Sequence, residues 1–180
     1  MKSVLNAVEK RRTRRGLTLI EAAMVLTILA LVVAGVMLFY QNATTSQKIS
    51  QAAGQISTIQ QAVRSMYAGQ STYAGLENAN IIQALPRSML VGTDGLRNAF
   101  NGTIVVEPAS NGSQSNAAFD ITFGGIPSEA CVRLATVDLG RSAIGIQINT
   151  ASMISPPVAP ATAQTSCGTG NNSSITWTLL

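Results

Sequence analysis

Histidine is absent from this 180-residue chain. That removes imidazole metal ligands, histidine-based triads and the side chain most often used as a general base near neutral pH. Cysteine occurs only at Cys131 and Cys167, too few for a zinc site. Charged residues make up 11% of the protein, and the carboxylates Glu77, Asp94, Glu107, Asp120, Glu129 and Asp138 are scattered singly, so no catalytic acid pair is legible. Aromatics are sparse and are not interleaved with basic residues, which argues against direct nucleic-acid binding. No proline precedes Pro86, so nothing in that stretch forbids a long helix. These absences point away from an enzyme and imply no cofactor and no metal.

What is present is concentrated at the front. Lys2, Lys10, Arg11, Arg12, Arg14 and Arg15 stand against Glu9 alone in residues 1–16. The formal charge of +4 is therefore carried by a leader, and the remaining body is slightly acidic. A polybasic DNA arm is the competing reading of the leader, but an apolar run follows it directly. Residues 22–40 carry no charge, and as a helix they extend about 28 Å, close to a bilayer's hydrocarbon core. Basic residues before the run and Gln41–Asn42 after it place the N-terminus on the cytoplasmic side. Glu21 is the one acid at the rim of this run. A carboxylate is costly there and marks a function, with snorkelling to the interface as the plain alternative.

A conventional signal peptide ends in a small-x-small cleavage site. Ala43 and Ala53 offer only weak neighbourhoods of that kind, and the run flows on without a turn signal. A permanent anchor is a further alternative. Beyond the run, Ile49, Ala52, Ile56, Ile59, Val63 and Met66 recur at helical spacing, with Gln51, Gln55, Ser57, Gln60 and Arg64 on the polar faces. One helix from Leu17 to about Tyr67 is expected, weakest at Gly35 and Gly54. Its first half requires lipid or other copies of itself.

Past Gly69 the composition turns to Gly, Ser, Thr and Asn. We expect a loop over 70–102 with a short helical piece near Ala79–Leu85 ended by Pro86. Strands are expected at Thr103–Glu107, Ala117–Phe123, Ala143–Asn149 and Ser174–Leu180, with Asn111–Gly112 as a hairpin connection. Pro127-Ser128-Glu129 opens a helix whose inner face is Ala130, Cys131, Leu134, Ala135 and Val137 and which Gly140 ends. Residues 152–173 read as a loop. The sum is an α+β fold, a long N-terminal helical stem packed on a small antiparallel sheet. The two cysteines are either buried free thiols or, behind an export-like front end, a disulfide.

The segment RRG-LTLIEAAMVLTILALVV resembles the class III signal of type IV pilins and pseudopilins. The glycine, the following hydrophobic residue, the fixed-spaced glutamate and the long apolar run occur together. The sixteen-residue leader and the Leu at its junction resemble the type IVb branch, which includes bundle-forming, toxin-coregulated and plasmid thin-pilus pilins. The resemblance is strongest over residues 12–67. It implies cleavage between Gly16 and Leu17 by a prepilin peptidase, N-methylation of Leu17, and Glu21 setting assembly register against a neighbour's α-amine. It implies a Cys131–Cys167 disulfide framing the C-terminal region. The domains would be a leader at 1–16, a stem at 17–67 with its apolar part at 17–40, and a head at 68–180. The expected function is a structural subunit of a surface filament for adhesion, aggregation or mating contact. Its partners would be other copies of itself, the inner-membrane assembly machinery and minor pilins. It would reside in the inner membrane before assembly and in the extracellular pilus afterwards. Where many type IVa pilins carry a kinking proline, this protein has Leu38, so no bend is assumed there. A minor pilin, a type II secretion pseudopilin and a monomeric membrane-anchored binding module are the alternatives.

Overall fold

The computed structural model describes residues 18–93 and 95–180. The expected cleavage pair Gly16–Leu17, the basic leader and Asp94 lie outside the described residues. The protein divides into two units, Met1–Asn42 and Ala43–Leu180. Helix α1 is Leu19–Met66, and both Gly35 and Gly54 are helical within it. Its start is set by Thr18, whose Oγ1 accepts the Glu21 N–H at 3.3 Å. Thr18-x-x-Glu21 is capping-box spacing, and this bond satisfies one of the donors that a helix start leaves free.

In the second unit, α1 buries Ala52, Ile56, Ile59, Ala62 and Val63. The stripe expected from periodicity stops short of Met66, which is 42% exposed. The helix ends there, and Tyr67 takes over the packing. Its ring lies 5.5 Å from that of Tyr73, which in turn lies 4.9 Å from Phe119. The flank assigned to solvent is partly engaged as well. Gln60 Nε2 donates to Ser142 Oγ at 2.6 Å, Gln55 Oε1 accepts the Ala99 N–H at 3.0 Å, and Arg64 donates to the Leu180 carbonyl.

The remaining elements of this unit are β1 (Leu90–Val91), β2 (Gly95–Arg97), β3 (Thr103–Asn111), β4 (Gln114–Ile126), β5 (Ala143–Ile148) and β6 (Ser173–Leu179), with helices α2 (Asn78–Ile81), α3 (Ser128–Ala135) and α4 (Pro160–Cys167). The strands form one antiparallel sheet in the order β1-β2-β3-β4-β6-β5. The last strand is thus inserted between β4 and β5. Period-two alternation puts Ile104, Val106, Phe119, Ile121, Phe123, Ile146, Ile148, Ile175, Trp177 and Leu179 into the same core as the α1 stripe. Burial of these side chains, at roughly 1.5–3 kcal/mol each, is the main term holding stem to sheet.

Four sequence expectations are corrected. The stretch 70–102 holds two short strands, β1 and β2, besides its helical piece. The expected loop over 152–173 contains α4, with Pro160 at its start and Ala163 and Cys167 buried. Helix α3 ends at Ala135 rather than at Gly140: the Val137 N–H turns to the Leu134 carbonyl at 3.2 Å, three residues back instead of four, and the Thr136 hydroxyl bonds back onto the last turn. Gly140, at φ 76, opens a separate short 3-10 turn. The hairpin loop is Gly112–Ser113, with Asn111 paired to Gln114.

Two sheet edges are guarded. On β3, past its short pairing with β2, the Asn78 side chain donates to the Ile104 carbonyl and accepts the Val106 N–H, both at 2.9 Å. On β5, Ile146 exchanges two backbone bonds of 2.8 Å with Ile154. Such cover blunts the tendency of free edges to pair with other strands.

Candidate functional site

The most unusual surface lies on the apolar part of α1. Leu19 is 92% exposed, Leu31 75% and Phe39 77%, and none of the most apolar window is buried. That window has a mean hydropathy of 2.7, long and apolar enough to cross a membrane. A lone soluble protein rarely exposes so large a continuous apolar surface. The hydroxyl of Thr27 donates to the Met24 carbonyl at 2.8 Å and so needs no outside partner. Glu21 lies in the first turn of this helix with its side chain exposed, where the helix dipole favours negative charge. Its expected pairing partner, an amine at Leu17, lies outside the described residues.

The second feature is the C-terminal region of the head. Cys131 of α3 and Cys167 of α4 form a disulfide with Cα atoms 6.0 Å apart, and both are buried. Around it, Ser128 N–H donates to the Gly170 carbonyl at 3.1 Å, and Ser173 Oγ donates to the Cys167 carbonyl at 3.1 Å. Asn149 adds a clamp that sequence reasoning missed. Its Nδ2 donates to the Ser166 carbonyl at 2.8 Å and its Oδ1 accepts the Ser174 N–H at 2.9 Å. The signal was available, since Asn tolerates the left-handed backbone that Asn149 adopts at φ 53. Asn98 is a second stitch of this kind, beside the start of β3. It is buried, donates to the Gly124 carbonyl at 2.7 Å, and accepts the N–H groups of Phe100 and Gly102.

The outer sheet face carries Glu107 opposite Asp120 in the β3–β4 register. Burial pushes the Asp120 carboxyl above its ordinary range. The Thr178 hydroxyl, donating at 2.6 Å, opposes that shift, and Glu107 adds to it. Nothing here among the described residues assembles a catalytic set. Among the described residues no three His, Cys, Asp or Glu side chains cluster as metal ligands. The broad groove beside α1, lined by Gln55, Thr58, Ser88, Arg97 and Asn98 among others, has no carboxylate in its walls among the described residues.

The prokaryotic N-terminal methylation motif matches residues 11–37, and the family described as PilS N terminal matches residues 46–180. Over 97% of this protein and 98% of the relative, it is 32% identical to the major structural subunit of bundle-forming pilus from Escherichia coli O111:H-. The chain belongs to the type IVb pilins. A second bundle-forming pilus subunit, from Escherichia coli O127:H6, is 36% identical over 81% of this pilin and 76% of the relative. The crystal structure of a type IVb pilin from Salmonella typhi matches with a TM-score of 0.57 and 25% identity, covering 73% of this pilin and 97% of that structure. Its kinship is therefore with structural filament subunits. The exposed apolar part of α1 is the element by which such a pilin is held in the inner membrane and then assembled into an extracellular filament.

Proposed function

We propose that this pilin is matured by removal of residues 1–16 and polymerised with Glu21 setting its register. A prepilin peptidase cuts between Gly16 and Leu17, and the new Leu17 amine is methylated. The stem is then 17–67, with 17–40 as filament core, and 68–180 is the head. Cleavage removes the strongly basic leader and leaves one positive amine at an apolar helix end. In a dry bundle of copies that amine pairs with Glu21 of a neighbour. An unpaired Glu21 there is expensive, so the pair selects axial register while the apolar faces supply the area. The inner-membrane assembly machinery and minor pilins are the further partners, and the fibre acts in adhesion, aggregation or mating contact.

The observation that carries this reading is the pairing of a fully exposed, membrane-grade helix surface with a single rim carboxylate. Among the described residues nothing covers the apolar surface, and no side chain forms an ion pair with Glu21. The test is Glu21→Gln, which keeps shape and removes charge. Processed pilin should accumulate normally while sheared-fibre yield falls at least ~10-fold, a loss of the size expected when one partner of a buried pair is removed. Wild-type fibre yield at equal processed protein would refute the role of the charge.

A further inference from the structure

This pilin has two Asn–Gly pairs, Asn101–Gly102 and Asn111–Gly112, and the fold treats them in opposite ways. We propose that Asn111 is a self-modification site, at which the side-chain amide converts to an acid through a succinimide with water as the only co-reactant. In that step the Gly112 backbone nitrogen attacks the amide carbon of the Asn111 side group. The new bond between them closes a five-membered ring. The bond from that carbon to the original amide nitrogen breaks, and this nitrogen leaves as ammonia, carrying the proton lost by the Gly112 nitrogen. Water then opens the ring at either carbonyl and yields aspartate or isoaspartate at position 111.

The step needs a free attacking nitrogen, room around it and access for water. The hairpin tip supplies all three. Asn111, Gly112 and Ser113 are exposed. Among the described residues no acceptor meets the Gly112 N–H. Gly112 sits at φ 60 with nothing within 4 Å of where a Cβ would project. Asn111 ends β3 and is bound to its partner strand only through the Gln114 pairing, after a register shift at Ala109/Asn111.

At the other pair the same chemistry is blocked. The Gly102 N–H donates to Asn98 Oδ1 at 3.0 Å, and the Gly102 carbonyl accepts the Asn98 N–H at 2.9 Å. A Cβ on Gly102 would overlap the Gly124 carbonyl, so this glycine is pressed against β4 and its nitrogen cannot turn toward the Asn101 side group. Asn98 thus protects one Asn–Gly pair while the hairpin leaves the other open. The product adds a carboxylate to the tip of a slightly acidic head, and the isoaspartate form inserts a methylene into the end of β3.

The full-length pilin in detergent is incubated at mildly alkaline pH, folded or denatured, and then digested. A glutamate-specific protease cuts at Glu107 and places the two sites in separate peptides. In the folded protein the peptide with Asn111 should gain the mass of an amide-to-acid conversion and split into aspartate and isoaspartate forms, while the peptide with Asn101 keeps its amide. In the denatured protein both should convert at comparable rates. Gly112→Ala, which crowds the attacking nitrogen, should slow the folded-state conversion on the order of tenfold. Conversion of Asn101 as fast as Asn111 in the folded protein would overturn the proposal, as would an Asn111 that outlasts its denatured counterpart.

Discussion

Replacing both bridge cysteines, Cys131→Ala with Cys167→Ala, tests how the C-terminal region is held. The bridge spans a sequence separation of 36. For a loop of that length the chain-entropy relation gives about 4 kcal/mol of stabilisation, acting mainly on the unfolded state. Both cysteines are buried beside Ala130, Leu134 and Ala163, so alanine introduces no polar group and only a small loss of contact. The head reports its own unfolding. Trp177 is the only tryptophan, is fully buried in β6, and meets Phe123 edge-on at 5.4 Å. Urea unfolding of the full-length pilin in detergent, followed by Trp177 fluorescence, gives the midpoint directly. With a slope of roughly 1–3 kcal/mol/M, the midpoint should fall by about 1–4 M, and chemically reduced wild type should fall with it. A shift under about 0.5 M would refute the reasoning. It would mean that the bridge removes little conformational freedom from the unfolded chain.

Asn98→Ala should cost about 2–4 kcal/mol in the same assay, since it leaves the Gly124 carbonyl and two backbone N–H groups without their partner; a loss under about 0.5 kcal/mol would show that water replaces the side chain. Asp120→Asn should raise stability at neutral pH and leave it unchanged in strong acid. The sign follows from its raised pKa: the stability Asp120 contributes is complete below its ordinary value of 3.8 and is lost as pH rises through the folded-state value. Parallel pH profiles for the variant and the wild type would contradict this. Gly16→Ala should leave unprocessed pilin in the membrane, read as a shift in intact mass, while normal maturation of that variant would remove the steric argument for glycine at the cut.

The stem was legible because its signals are periodic. An uninterrupted apolar run and a three-to-four spacing specify a helix and its buried side regardless of context, and α1 follows them up to Val63. The four longer strands were legible for the same reason, through β-branched alternation in TIVVE, AAFDITF, AIGIQIN and SITWTLL. What was hidden depends on partners distant in sequence. PATAQTSC has no helical stripe, and α4 forms where a disulfide and Asn149 hold it. Strands β1 and β2 are two and three residues long and form only against β3 and each other. The capping role of Thr18 was written in its Thr-x-x-Glu spacing but was overshadowed by the charge at Glu21. The polar stitches at Asn78, Asn98 and Asn149 look like ordinary loop residues until the backbone groups they satisfy are in view.

The proposed maturation removes a basic leader, and the exposed apolar helix becomes the inside of a filament. Mass analysis of the pilin recovered from sheared surface fibres tests it most directly. The expected subunit begins at Leu17, methylated on its amine, with the Cys131–Cys167 bridge retained. A fibre subunit beginning at Met1, or trimmed near Ala43 so that the apolar helix is missing, would contradict it.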